Sequence, residues 1–294
     1  MAGKNLTSYT DVIGLYEKAQ GLFLRATNQK TKNFVLRAAS PLLHAASPFL
    51  ASRRKANVAM FHIGRVGSSV VAEMLDQHSK MDWAREFYHP DNMWRTYLPQ
   101  KNPIRRLRIR MALSGPKIFG FETKYQRGGD LQRIGMTLDS YCEKLSDIGF
   151  DHFVLLERRN LLRRYVSSMV GEKRGKWHNR GEKQTLTQIK IDPENIDKKG
   201  TSLPCHFANM ERDKLSLLDS MSGRNLLRLT YEEDIRYDPK NAYRKICSFL
   251  EIEDEPADVS IKKSNPFPLR EIVTNYQDVA ANLEGSEYEW MLDC

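Results

Sequence analysis

The chain of 294 residues has only four cysteines, Cys142, Cys205, Cys247 and Cys294, and no two stand in C-x-x-C spacing. That argues against a zinc finger or ribbon and against a disulfide-stapled scaffold, and it points to a reducing compartment. No run approaches the ~18 consecutive apolar residues of a membrane-crossing helix. The N-terminus shows neither the apolar stretch nor the cleavage site of a secretory signal, so the expected location is cytoplasmic. Internal repeats and low-complexity segments are absent. A Walker A loop is missing too, because Gly67 is followed directly by Ser68 where G-x-x-x-x-G-K-[ST] demands a lysine. Acidic residues are the scarcer charge, 37 against 46 lysines and arginines, a net +9 with pI near 9.3. Such an excess suits anionic partners: nucleotides, polyanionic sugars, acidic membranes or nucleic acid.

What is present is globular in composition, 40% apolar and 28% charged. The length allows one large α/β domain or two small ones, with a core that needs no staples. The most informative stretch runs from Asn57 to Leu75. An apolar strand, Val58 to Phe61, empties through His62-Ile63-Gly64-Arg65-Val66-Gly67-Ser68-Ser69 into an amphipathic helix beginning at Val70. Unpaired N–H groups in a first helical turn, together with the helix dipole, make an anion site. Gly67 allows close backbone approach, Ser68 or Ser69 can cap the helix, and Arg65 adds fixed positive charge. Phosphate is the expected guest.

Before this stretch, residues 1–55 read as a basic, helical N-terminal extension, either packed on the domain or making peripheral membrane contact. After it, Met81 to Pro90 should carry the second strand and its exit, with Glu86 a possible base or a salt-bridged loop carboxylate. Arg95, Lys101, Arg105, Arg106, Arg108 and Arg110 form either a solvated helix face or the wall of a channel for an acidic substrate. The run Ile118 to Phe121 is a third strand whose tip carries Glu122 and Lys124. In open α/β sheets ligands sit at strand carboxyl ends, so charged tips are where chemistry is expected. The strand His152 to Leu156 leads into Glu157-Arg158-Arg159-Asn160 and a helix from Leu161 to Met169. Arg159 at the strand exit, with Ser167 eight positions on, forms a second anion site. Val170 to Pro204 is lysine-rich and glycine-punctuated, the expected mobile loop or substrate lid. A helix over 207–220, a strand over 225–229 running into Thr230-Tyr231, a helix over 239–250, a basic tail with Lys262, Lys263 and Ser264 and a last helix from about Arg270 complete the chain. The alternation predicts α/β architecture: one mainly parallel sheet flanked by crossover helices.

Together these segments resemble the sulfotransferases that use 3′-phosphoadenosine 5′-phosphosulfate (PAPS), in particular the carbohydrate-type and bacterial members. Arg65-Val66-Gly67-Ser68-Ser69 is similar to that family's 5′-phosphate loop, and Arg159 with Ser167 to its 3′-phosphate motif. Tyr231-Glu232-Glu233-Asp234-Ile235, Asp238-Pro239 and Phe249-Leu250-Glu251 follow its later pattern, with Glu251 where a glycine is usual. The resemblance covers 56–294, the expected sulfotransferase domain with a P-loop-like fold. It implies PAPS as cosubstrate and 3′-phosphoadenosine 5′-phosphate (PAP) as product. It further implies a nucleotide site of Gly64, Arg65, Val66, Gly67, Ser68, Ser69, Arg159, Ser167, Tyr231, Lys262, Lys263 and Ser264. Arg65 would stabilise charge on the bridging oxygen and Lys124 would hold the sulfonate. Glu86, or alternatively Glu122, would take the acceptor's proton, and no metal is implied. The acceptor would be a carbohydrate, glycolipid or polar small molecule, with no nucleic-acid partner. The competing expectations are a P-loop kinase or NTPase, and a basic non-catalytic protein of nucleic acid or membrane surfaces.

Overall fold

The computed structural model describes residues 54–92, 102–181, 183–197, 200–263 and 265–293, with scattered helical positions between 14 and 43. Most of the N-terminal extension, Arg95, Lys101 and Ser264 therefore lie outside the described residues. Five strands form the core sheet: β1 (Asn57–His62), β2 (Met81–Glu86), β3 (Ile118–Lys124), β4 (His152–Glu157) and β5 (Leu226–Thr230). Their order is β2-β3-β1-β4-β5, and every pairing is parallel. The architecture is α/β, and the sheet is wholly rather than mainly parallel. The middle strand, β1, is buried along its whole length, which is why it reads as a continuous apolar run.

Among the described residues from Arg54 onward the α-helices are α1 (Ser68–Gln77), α2 (Pro103–Leu113), α3 (Asp130–Ile134), α4 (Leu138–Asp147), α5 (Leu161–Arg174), α6 (Leu203–Ser220), α7 (Lys240–Phe249), α8 (Leu269–Ile272) and α9 (Tyr276–Leu283). Right-handed crossovers fix their sides. The step from β1 to β2 runs one way along the sheet, while those from β2 to β3, β3 to β4 and β4 to β5 run the other. So α1 lies on one face, joined there by α7, while α2, α4 and α6 cover the opposite face. Adjacent β1 and β4 are left by connections that diverge, and the crevice beyond their carboxyl ends is the topological switch point where open α/β sheets bind ligands.

Two expectations about loops need correction. The basic segment before β3 is not a solvated face throughout. Arg106 and Arg110 are buried: Arg106 lies over the Phe87 and Tyr88 rings at 5.4 and 5.5 Å, and Arg110 bonds Asp82 while lying over Phe119. Nor is 170–204 a free lid. Helix α5 continues to Arg174, where Gly175 caps it in the left-handed region. The Ile189 N–H then donates to Ile272 O at 2.8 Å, Asn275 Nδ2 donates to Ile191 O at 2.7 Å, and both isoleucines are buried.

Candidate active site

The loop after β1 holds Gly64 at φ 75°, Arg65 at φ 58° and Gly67 at φ 90°. The left-handed region favours glycine, so Arg65 carries local strain of ~1 kcal/mol at the tip of the turn. A methyl group on Gly67 would sit 2.9 Å from Ile235 Cγ2. Glycine is therefore required at that position for both backbone and space. Val66 is fully buried and anchors the loop. Helix α1 opens at Ser68; the Val70 and Val71 N–H groups donate back to Gly67 O at 3.1 and 3.3 Å, whereas those of Ser68 and Ser69 have no carbonyl within the helix to reach.

This loop faces the exit of β4 across a cavity of about 360 Å³. Arg65, Gly67, Ser68, Ser69, Ser167, Tyr231, Lys262 and Lys263, all expected from sequence, line it. Arg65 Nε donates to Ser167 Oγ at 3.0 Å and Arg65 Nη1 to Trp177 O at 2.7 Å. Arg159 does not line this cavity; the strand-exit arginine that does is Arg158. Arg158 Nη1 donates to Arg65 O at 3.0 Å and its guanidinium lies 4.4 Å from the Tyr231 ring centre. Arg159 turns outward into an exposed ion pair with Glu233. Its own N–H donates to Glu232 at 3.0 Å. The acidic group that follows Tyr231 claims Arg159, and the Tyr231 ring claims Arg158.

Sequence reasoning also missed Arg163, Trp177, His178, Arg236 and Tyr237, which line the same cavity. The aromatic Trp177 inside a lysine-rich loop was the available signal: its ring packs where a Cβ on Gly171 would come within 2.8 Å. Six basic side chains thus face the cavity, Arg65, Arg158, Arg163, Arg236, Lys262 and Lys263, and among the described lining residues there is no carboxylate. The cost of that arrangement shows in the titration of the arginines. Burial, then the charge of Arg158, pushes Arg65 down to about 10. Burial, then Arg65 and Arg158, pushes Arg164 down to about 10. Arg158 is lowered chiefly by burial, and its buried Nε has no hydrogen-bond partner. An anion in the cleft would relieve all three.

Beside the cleft lies a second group that the sequence places on separate strands. Glu122, on β3, is buried and accepts from Trp83 Nε1 at 3.1 Å. Burial works to raise its carboxyl, but contacts with His62, Trp83 and Ser68 outweigh that and hold it below the usual carboxylate range. Glu86, at the tip of β2, pairs with Lys124 at 2.7 Å. Of the two expected bases, Glu86 is the partly exposed one. None of Glu86, Glu122 and Lys124 lines the cavity itself.

His62, Glu86 and Glu122 bring three potential ligand atoms within 4.8 Å of one another, a convergence the sequence did not reveal. The donor set fits a charge network better than a cation. His62 Nδ1 accepts the Gly64 N–H at 3.0 Å, so the ring proton is on Nε2, which lies 3.3 Å from Glu122. A protonated Nε2 offers no lone pair to a metal, and the Lys124 ammonium already neutralises Glu86.

No protein-family model, curated protein or solved structure matches this chain. Among the described residues no helix is long and apolar enough to cross a membrane.

Proposed function

We propose that the chain is a PAPS-dependent sulfotransferase, acting on a hydroxyl or amine of a carbohydrate, glycolipid or polar small molecule. The observation that carries this reading is the shared cleft. Two turns, one after β1 and one after β4, open into a single cavity with six basic groups and two aromatic rings, Trp177 and Tyr231. A small anion with one phosphate needs one such turn. A nucleoside carrying phosphate at both ends of its ribose uses both and offers a base for stacking.

In this reading the 5′ side sits on the first turn of α1, and the 3′-phosphate meets Arg158 and Ser167. Lys262 and Lys263 close the far wall. In-line sulfuryl transfer develops negative charge on the oxygen that bridges sulfur and phosphorus, and Arg65 stands on that side of the loop. Lys124 passes beneath Gly64, its Cε 3.5 Å from where a Cβ would stand, which suits a role in holding the sulfonate.

A kinase or NTPase fits less well. Magnesium would need a carboxylate at the phosphates, and the acidic turn after β5 is already taken. Glu232 accepts from the Asn160 N–H at 3.2 Å, Glu233 pairs with Arg159, and Asp234 binds Lys245 at 2.6 Å. The discriminating measurement is a thermal shift. PAP without magnesium should stabilise the protein, and an equal or larger shift from ATP with magnesium would overturn the assignment.

A further inference from the structure

We propose that Glu122 and His62 are positioning residues for the anion loop: the buried carboxylate keeps the ring proton on Nε2, and the unprotonated Nδ1 holds Gly64 in its left-handed turn. This rests on the transferase reading above and gives a different role to a carboxylate first expected as a base. Three strands and the loop meet at the pair. Trp83 of β2 donates Nε1–H to Glu122 Oε1 at 3.1 Å, Glu122 stands on β3, and His62 ends β1. The Gly64 N–H donates to His62 Nδ1 at 3.0 Å.

The place of the proton follows from these bonds. A backbone N–H can only donate, so Nδ1 carries a lone pair and the proton of the neutral ring is on Nε2. Nε2 lies 3.3 Å from Glu122 Oε2 and has no aligned hydrogen-bond acceptor. The carboxylate therefore acts on that N–H by charge, and both side chains are buried, where water screens the attraction little. The other tautomer fails twice: it sets an Nδ1 proton against the Gly64 N–H and a lone pair against the carboxylate. His78 and His89 make the same bond to the residue two ahead, but the carboxylates beside them, Glu255 and Asp91, are not buried.

What Nδ1 holds is the point where the loop leaves the strand. Gly64 is gripped at both of its polar groups, since Arg164 Nε donates to its carbonyl at 3.3 Å. Arg164 Nη2 donates to Ile63 O at 2.6 Å and Arg158 Nη1 to Arg65 O at 3.0 Å. Three successive carbonyls are thus occupied by guanidinium groups, which spares an incoming anion their lone pairs. Gly64 and Arg65 both have positive φ, and strain of that kind persists only where surrounding bonds fix it. The Gly64 N–H is spent inward and Gly64 does not line the cavity, so its part in anion binding is to aim the residues that follow.

The test uses the full chain. Nitrogen NMR of the labelled ring should show Nδ1 unprotonated in the wild type, a reading that needs no variant to fold. Trp83 pins one side-chain oxygen of residue 122, so Glu122→Gln turns its amide NH2 to His62 Nε2 and should move the ring proton to Nδ1. PAP affinity by calorimetry should fall roughly tenfold to a hundredfold with it. A merely structural carboxylate would lower the melting temperature and leave the tautomer unmoved. The two ring nitrogens are then separated. His62→Asn keeps an acceptor near the Nδ1 position and should bind PAP within about threefold of wild type, whereas His62→Gln keeps only a donor near Nε2 and should lose roughly tenfold or more. An Nδ1 proton in the wild type, an unmoved tautomer in Glu122→Gln, or equal losses in the two His62 variants would each overturn the roles of the pair. Inorganic phosphate, titrated alongside, keeps this apart from the donor reading. Phosphate affinity that follows the same order of variants, with no binding of PAP, would overturn the donor reading alone. A wild type that binds neither anion would overturn both.

Discussion

Arg65 Nε donates to Ser167 Oγ at 3.0 Å although the two residues stand 102 positions apart. One bond therefore joins the turn after β1 to the helix after β4 and sets the width of the cleft between them. Ser167→Ala removes the hydroxyl from both the guanidinium and any bound phosphate. One hydrogen bond to a charged group is worth ~1–2 kcal/mol, so PAP should bind roughly tenfold more weakly. The melting temperature of the free protein should move by no more than about 2 °C, since Arg65 keeps its bond to the Trp177 carbonyl. Calorimetric titration paired with a melt separates the two effects.

Adjacent arginines should give opposite results. Arg158→Ala removes a buried guanidinium that faces the cleft, holds the Arg65 carbonyl and lies over Tyr231. Loss of ~2–4 kcal/mol of binding is expected, roughly thirtyfold to a thousandfold in Kd. Arg159→Ala breaks only an exposed ion pair with Glu233, worth ~0–1 kcal/mol of stability, and PAP affinity should change less than threefold. Equal losses in both variants would return Arg159 to the cleft.

Why sequence alone favoured Arg159 is a matter of range. The strands and the loop after β1 are legible locally: buried parallel strands are apolar runs, and a glycine turn before a helix is a short-range signal. The outward turn of Arg159 is set by Glu232 and Glu233, more than seventy positions later. The loop bearing Trp177 and His178 reads as a mobile loop or substrate lid because its anchors, Arg65 and Lys262, are equally remote in the chain. Arg106 and Arg110 read as part of a solvated face or of a channel wall, and not as core residues, for the same reason. The aromatic rings and the carboxylate that receive them lie on β2, β3 and the turn after β2. Composition and charge pointed to an anionic partner, whereas the choice of which cations face it depended on tertiary contacts.

Glu251 offers a stabilising substitution. It follows α7 at φ 51°, its N–H donating to Ser248 O and the next N–H, of Ile252, to Cys247 O at 2.9 Å. These two bonds form a Schellman cap, whose left-handed residue is ordinarily glycine. Glu251→Gly removes ~1 kcal/mol of backbone strain at the cost of an exposed pair with Lys55 worth little. The melting temperature should rise by about 2–4 °C for a domain of this size. An unchanged or lower melting temperature would show that the ion pair outweighs the strain.

The buried carboxylate beneath the site should make stability depend on pH in a defined direction. Trp83 Nε1 donates to Glu122 Oε1 at 3.1 Å, and both side chains are buried. Trp83→Phe keeps an aromatic ring but leaves that oxygen short of a donor, at a cost of ~1–3 kcal/mol near pH 7. Glu122 is held below its ordinary 4.5 in the folded chain. A carboxyl of that kind adds stability above its unfolded pKa and loses it as the pH falls through the folded one. In the Phe variant the folded pKa moves up, so this contribution is smaller at neutral pH. The gap in melting temperature between wild type and variant should therefore narrow on acidification below about pH 4.5, as Glu122 becomes protonated in both. Melts across that range decide the matter: a gap that stays constant would mean that lost packing around Trp83, and not the charge on Glu122, accounts for the destabilisation.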